Sequence, residues 1–103
     1  MSQLKTLLEA VKDEKLSKEQ IEQYHAELIH LFSAVMLERS DLLKKEAFYF
    51  MELKRANPDE SDQSIKRKWR VEPAGQRLLE LDAYKMILPK EIESCKTRIY
   101  ALL

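Results

Sequence analysis

Residues 18–56 read KEQIEQYHAELIHLFSAVMLERSDLLKKEAFYFMELKRA and contain neither glycine nor proline. Apolar residues recur through the stretch at helical spacing: Ile21, Tyr24, Leu28, Phe32, Val35, Leu42, Leu43, Ala47, Phe50 and Leu53. This periodicity is typical of an amphipathic helix. An unbroken helix of this length spans roughly 58 Å at 1.5 Å per residue. The stretch therefore decides the fold, because it is longer than a small domain is wide.

The polar residues Glu38-Arg39-Ser40-Asp41 interrupt the apolar pattern for about one turn. They indicate either a bend or a polar layer inside a long antiparallel pairing. Asp41 lies four residues before Lys45, a spacing that supports a helix across the gap. We therefore predict one continuous helix over residues 18–56.

The start of this helix has the clearest local signal in the sequence. Ser17 and Gln20 match a capping box, with Ser17 as the N-cap and Gln20 at the third helical position. Leu16 and Ile21 stand where a hydrophobic staple would bring them together. Before this boundary, a short amphipathic helix is predicted from about Ser2 to Lys15, with four apolar residues at helical spacing: Leu4, Leu7, Leu8 and Val11.

The C-terminal half contains two further helical segments. Asn57-Pro58 is a turn signal that ends the long helix, and Ser61 or Asp62 caps the segment that follows. Pro73 suits the first position of the last helix, and Pro89 predicts a kink near residues 85–88 rather than a loop. The last helix has an apolar pattern of Leu78, Leu81, Leu88, Ile92, Cys95, Ile99 and Leu102.

These elements predict an all-α fold for residues 1–103 as one domain. A single glycine in 103 residues leaves few positions for the tight turns of a β fold. The predicted architecture is a long helical hairpin of a middle helix (about 18–56) and a kinked C-terminal helix (about 73–102), with the short N-terminal helix across one end. Apolar residues off the main pattern widen the apolar face of the middle helix and predict a homo-oligomeric helical bundle: Met36, Leu37, Phe48, Tyr49 and Met51.

Composition narrows the possible environments and partners. Lys plus Arg and Asp plus Glu each total 18, so no net charge draws the protein toward nucleic acid or membrane as a whole. The longest apolar-rich stretch, LIHLFSAVML, has ten residues, too few to span a bilayer. One cysteine and no signal-peptide pattern suit a reducing cytoplasm. We expect a cytoplasmic protein that makes no membrane contact.

The basic run KRKWR at residues 66–70 is the feature most suggestive of function. Its four cations, Lys66, Arg67, Lys68 and Arg70, can neutralise phosphates while Trp69 stacks on a base. Arg77 adjoins the run and completes the candidate nucleic-acid or phosphate site. The alternative is a solvated cationic helix face, in which Trp69, four residues after Ile65, belongs to the core.

Other chemistry has weaker support. Glu22-x-x-His25 and Glu27-x-x-His30 have the spacing of carboxylate-bridged metal sites, but both pairs lie on one helix. Cys95 belongs to an apolar face with no histidine at useful spacing, which favours a buried small hydrophobe over a nucleophile. Gly75 matches no phosphate loop. We expect no catalytic residues, no bound metal and no cofactor.

The segment KRKWRVEPAGQRLLELDAYKMILPKEIESCKTRIYALL, residues 66–103, resembles the closing part of small helical accessory proteins of tailed bacteriophages. In those proteins a basic, aromatic-containing stretch leads into a long helix, although Pro89 departs from their uninterrupted pattern. The resemblance implies a phage accessory protein in a bacterial host cell and assigns no residue a role.

Two functional hypotheses follow. In the first, the protein is a non-catalytic accessory to nucleic-acid transactions that contacts phosphates through the basic run. In the second, it is an anti-defence protein that inhibits a host immune protein by docking on it, or that sequesters a signalling nucleotide.

Overall fold

The computed structural model describes residues 2–103, with side chains from Lys5 onward, so the predicted role of the Leu4 side chain lies outside the described residues. This part of the chain contains four α-helices and no strand. They are α1 (Ser2–Val11), α2 (Lys18–Ala56), α3 (Asp62–Val71) and α4 (Pro73–Ala101). The all-α prediction is confirmed, and α2 is continuous through residues 38–41.

The described chain forms two compact units. Unit 1 comprises residues 2–35 and 84–103, and unit 2 comprises residues 36–83. Unit 1 therefore contains α1 with the N-terminal part of α2 and the C-terminal part of α4. Unit 2 contains the remaining parts of α2 and α4, together with α3.

In unit 1, the predicted capping box fixes the start of α2. The Ser17 backbone N–H donates to the Gln20 side-chain oxygen at 2.9 Å, and the Gln20 backbone N–H donates to Ser17 Oγ at 3.2 Å. These reciprocal bonds satisfy two backbone donors of the first turn, which otherwise have no partner in the helix. The predicted boundary at Ser17 is confirmed.

Helix α1 ends four residues earlier than predicted, at Val11 rather than Lys15. The backbone N–H groups of Lys12 and Asp13 make short-range bonds to carbonyls three residues earlier, which close the last turn. The Arg98 guanidinium of α4 then donates to the carbonyl oxygens of Val11 and Asp13. A cation at a helix C-terminus is favourable because the unpaired carbonyls there carry partial negative charge. Arg98 therefore stabilises an end that the local sequence does not specify.

The core of unit 1 is built at seven-residue spacing on both long helices. Ile21, Leu28 and Val35 of α2 are buried, as are Leu88 and Cys95 of α4. A seven-residue repeat keeps one side of each helix facing the other, as in coiled coils. Helix α4 continues through Pro89, so the prediction of helix rather than loop at this position is confirmed. Leu102, predicted to continue the apolar pattern of α4, lies beyond its end and is exposed.

In unit 2, the polar interruption of α2 forms a polar layer against α4. Arg77 of α4 donates from two nitrogens to the Glu38 carboxylate, at 2.7 and 3.2 Å. Arg39 of α2 donates to Asp82 of α4 at 2.6 Å. Of the two interpretations of residues 38–41, the polar layer is the correct one. Further along α2, Tyr49 contacts Trp69 of α3.

The connections around α3 are short. Asn57 to Glu60 form a turn closed by a bond from the Glu60 N–H to the Asn57 carbonyl. A single extended residue, Glu72, separates α3 from α4, and Pro73 begins α4 as predicted. The residue before a proline is disfavoured in the helical region, which accounts for the break at Glu72.

Candidate nucleic-acid interface

Helix α3 carries the basic run, and one of its faces is fixed in the core of unit 2. Ile65 is fully buried and Trp69 is 6% exposed. The Trp69 ring packs on Tyr49 of α2, with ring centroids 5.3 Å apart and an angle of 53° between the planes. A tilted aromatic pair at this distance is favourable beyond the area that it buries. The buried face therefore determines which residues of α3 point outward.

The N-terminus of α3 is anchored by a set of local bonds. Ser61 is the N-cap, and its hydroxyl accepts from the Ser64 N–H at 3.1 Å. Lys54 of α2 donates to the Glu60 carbonyl at 2.7 Å and lies 3.3 Å from the Asp62 carboxylate. Of the two predicted caps, Ser61 is the correct one. These bonds hold α3 in a fixed position relative to the end of α2.

Lys68 is already paired within the unit. Its ammonium contacts the Glu60 carboxylate, which also accepts from the Ser64 hydroxyl at 2.9 Å. The hydrogen bond from Lys68, followed by that from Ser64, holds the pKa of Glu60 below its ordinary value. Because this pair satisfies the Lys68 charge, Lys68 serves the structure of α3 and is less available to an external phosphate.

Three cations of the run remain. Lys66, Arg67 and Arg70 are exposed, and no hydrogen bond or ion pair engages their side chains among the described side chains of residues 5–103. With Gln63 they occupy positions i, i+3, i+4 and i+7 of the helix, which share one side. These four residues line a shallow hollow of about 330 Å³. We call them the basic face.

Besides Lys68, two further residues of the sequence-predicted site do not belong to this face. Trp69 is buried against Tyr49, so its ring is not presented for stacking on a base. Arg77 bonds to Glu38 and also to Glu80, at 3.1 Å. The bond to Glu38 is the main cause that raises the pKa of Arg77. Of the six residues predicted to bind nucleic acid or phosphate, Lys66, Arg67 and Arg70 lie on the basic face together with Gln63, and the binding itself stays a prediction.

A second hollow adjoins the basic face. Its volume is about 390 Å³, and Lys66 and Arg70 lie on its edge. Its remaining lining residues are apolar or acidic: Glu46, Phe50, Trp69, Gly75, Leu78, Leu79 and Asp82.

The structural role of Gly75 at the junction of α3 and α4 was not predicted from the sequence. It is buried near the start of α4, where a Cβ atom would lie 2.7 Å from the Trp69 carbonyl carbon and closer still to its oxygen. Only glycine lets α4 begin this close to the end of α3. A glycine two residues after a helix-starting proline was the available signal.

A hollow in unit 1 lies between α1 and α2. Its volume is about 640 Å³, and its lining is Thr6, Leu7, Ala10, Tyr24, Ala26, Glu27, His30 and Leu31. Glu27 and His30 form one of the two predicted metal-type pairs. In the part of the chain that the structure describes, no three histidine, cysteine or acidic side chains come together at metal-binding distance.

Cys95 is fully buried in unit 1. Burial raises the pKa of its thiol, because removal from water disfavours the charged thiolate. A thiol with a raised pKa is a weak nucleophile. The structure thus agrees with the interpretation of Cys95 as a small core residue.

No family model, curated protein or solved structure matches this chain. None of the helices within residues 2–103 combines the length and the apolar character that a membrane crossing requires.

Proposed function

We propose that the protein is a non-catalytic accessory that binds nucleic acid through the phosphate backbone, using the basic face of α3. The observation that supports this proposal is the contrast within one five-residue run. Lys68 is paired and Trp69 is buried, whereas Lys66, Arg67 and Arg70 are exposed on one side of a helix that is anchored at its N-terminus.

Positioning of these cations favours phosphate binding over a merely solvated face. Cations held on a fixed helix neutralise neighbouring phosphates without first ordering the backbone that carries them. Gln63, on the same face, adds an amide that can donate to a phosphate oxygen. With Trp69 unavailable for stacking, the expected binding is electrostatic and tolerant of sequence.

The dependence of binding affinity on salt concentration gives a quantitative test of the proposal. Each phosphate neutralised on duplex DNA contributes about 0.9 to the log–log slope of affinity against salt, so three contacts predict a slope of about −2.7. Between about 50 mM and 200 mM salt this slope corresponds to a roughly 40-fold loss of affinity. Single strands release fewer counterions, and the corresponding slope is about −2.1.

The test replaces Lys66, Arg67 and Arg70 with glutamine and titrates a labelled duplex at several salt concentrations. We expect wild-type protein to bind with the slope given above and the variant to lose most of both affinity and slope. The matched control replaces three exposed lysines of α4 with glutamine, which removes the same net charge: Lys85, Lys90 and Lys96. Equal loss in the two variants, or no wild-type binding to DNA or RNA at low salt, would overturn the proposal.

The second candidate is an anti-defence protein that docks on a host protein or sequesters a nucleotide. It is favoured by the hollow between α1 and α2, where Leu7, Tyr24 and Leu31 line a concave surface. Concave, largely apolar surfaces are preferred sites for ligands and partner side chains. Both candidates agree with the phage-encoded accessory role that the sequence resemblance implies.

A further inference from the structure

The outer side of α2 in unit 2 presents large apolar side chains to solvent. Leu37 is 71% exposed, Phe48 is 66% exposed and Met51 is 56% exposed. They lie opposite the side that buries Leu42. Of the residues predicted to form an oligomer face, Tyr49 instead packs on Trp69 within the unit.

These side chains belong to a regular pattern. Spacings of four and three residues alternate along one side of α2, through Leu37, Asp41, Lys44, Phe48, Met51 and Arg55. Alternating spacings of this kind define the contact line between two helices in a coiled coil. We call these six residues the α2 seam. Asp41 and Lys44 are charged neighbours within the seam, with apolar Leu37 before them and apolar Phe48 after them.

We propose that the α2 seam is the interface with a second copy of this chain, and that the two α2 helices pack antiparallel. In an antiparallel pairing, a residue that precedes a four-residue spacing faces a residue of the other copy that precedes a three-residue spacing. When Leu37 of one copy faces Phe48 of the other, Asp41 faces Lys44 in the same register. Twofold symmetry repeats each contact: if residue i of the first copy contacts residue j of the second, then residue j of the first copy contacts residue i of the second. The two central layers then hold two opposite-charge pairs, and each is flanked by a Leu–Phe layer.

The parallel alternative is disfavoured by the same residues. In a parallel, in-register pair each seam residue meets its own copy. Asp41 would then face Asp41, and Lys44 would face Lys44, which places two like-charge layers side by side. Like charges across an interface cost free energy and suppress the wrong arrangement. The seam therefore specifies orientation as well as contact.

The length of the seam sets the expected strength. In this register, seam residues of one copy face seam residues of the other from Leu37 to Phe48, which covers 12 residues, or about 18 Å of helix. A strip of this length is shorter than an interface that buries the about 1,200–2,000 Å² typical of stable complexes. We therefore expect a dimer with a dissociation constant in the micromolar range rather than a permanent one.

Charge reversal tests the register directly. Nuclease-treated protein is compared by sedimentation equilibrium across roughly 1–100 μM, with circular dichroism to confirm helicity. Asp41→Lys and Lys44→Asp each create two like-charge contacts in the antiparallel register, and each should weaken the dimer at least about tenfold. The double variant restores opposite charges and should return to within about threefold of wild type. In a parallel dimer the double variant still places like charges opposite each other at both positions, so it would bind no more tightly than the single variants.

Removal of one apolar contact provides a second test. Phe48→Ser should weaken the dimer at least about tenfold, whereas Met86→Ser, at a residue of α4 that is 70% exposed and off the seam, should leave it unchanged. The proposal is overturned by a wild-type protein that stays monomeric to about 100 μM. It is equally overturned by a double charge variant no tighter than the single variants, or by equal effects at Phe48 and Met86.

Discussion

A single methyl group at Gly75 should disrupt the junction between α3 and α4. In Gly75→Ala the new Cβ atom would lie 2.7 Å from the Trp69 carbonyl carbon. Nonbonded carbon atoms lie about 3.5–4.0 Å apart, so the two backbones must separate by roughly 0.8 Å or more. Backbone shifts of this kind cost about 1–3 kcal/mol. The Trp69 carbonyl also accepts from the Glu72 N–H, so the movement strains the turn between the helices.

The opposing effect is the better helix propensity of alanine, about 1 kcal/mol for a helix interior. The clash involves backbone rather than a flexible side chain, and we expect it to exceed that gain. A net loss of about 1 kcal/mol lowers the melting temperature by roughly 4–8 °C in a chain of this size. Trp69 is the single tryptophan, so its fluorescence reports any shift of its ring relative to Tyr49.

The matched control is Gln76→Ala, at the adjacent exposed position of the same helix. It should leave both the melting temperature and the fluorescence almost unchanged. If Gly75→Ala raises the melting temperature, as it would in an unobstructed helix, then α3 and α4 do not approach each other as closely as described.

Two further predictions concern the ends of helices. Ser17→Ala removes the N-cap of α2 and should destabilise the protein by about 1 kcal/mol in thermal melts, whereas Ser33→Ala, at an exposed interior position of α2, should not. Glu60 has a lowered folded-state pKa, so its contribution to stability is complete above its ordinary pKa of about 4.5 and is lost as the pH falls through the folded value. The melting temperature of wild type minus that of Glu60→Gln should therefore be largest above this pH and shrink below it, and a difference independent of pH would contradict the role given to Glu60.

Features governed by nearby residues could be read from the sequence. The bonds of the capping box join residues three apart, so Ser17 and Gln20 specify the start of α2 without reference to the rest of the fold. The break at Glu72 likewise follows from the proline beside it. Burial of Trp69 was one of two open interpretations, and its spacing of four from Ile65 supported the one that the structure shows.

Features governed by distant residues could not be predicted. The end of α1 depends on Arg98, which lies 85 and 87 residues away from the carbonyls that it binds. Arg77 looked like part of the basic run because Glu38, its partner, is 39 residues distant in sequence. The sequence identifies the cations, but it does not show which of them the fold has already paired. That distinction reduces the candidate site to Lys66, Arg67 and Arg70.

The two proposed surfaces support one another energetically. Three phosphate contacts are few, and binding through one basic face would weaken steeply as salt rises. A dimer formed through the α2 seam carries two basic faces, and a nucleic acid long enough to reach both would engage six cations. The second face then binds at a high effective concentration, so avidity rises without any new kind of contact. If the seam forms the weak dimer that we propose, nucleic acid that bridges both copies would also favour that dimer, since each equilibrium would stabilise the other. A protein with no net charge can in this way bind a polyanion while keeping each individual surface small.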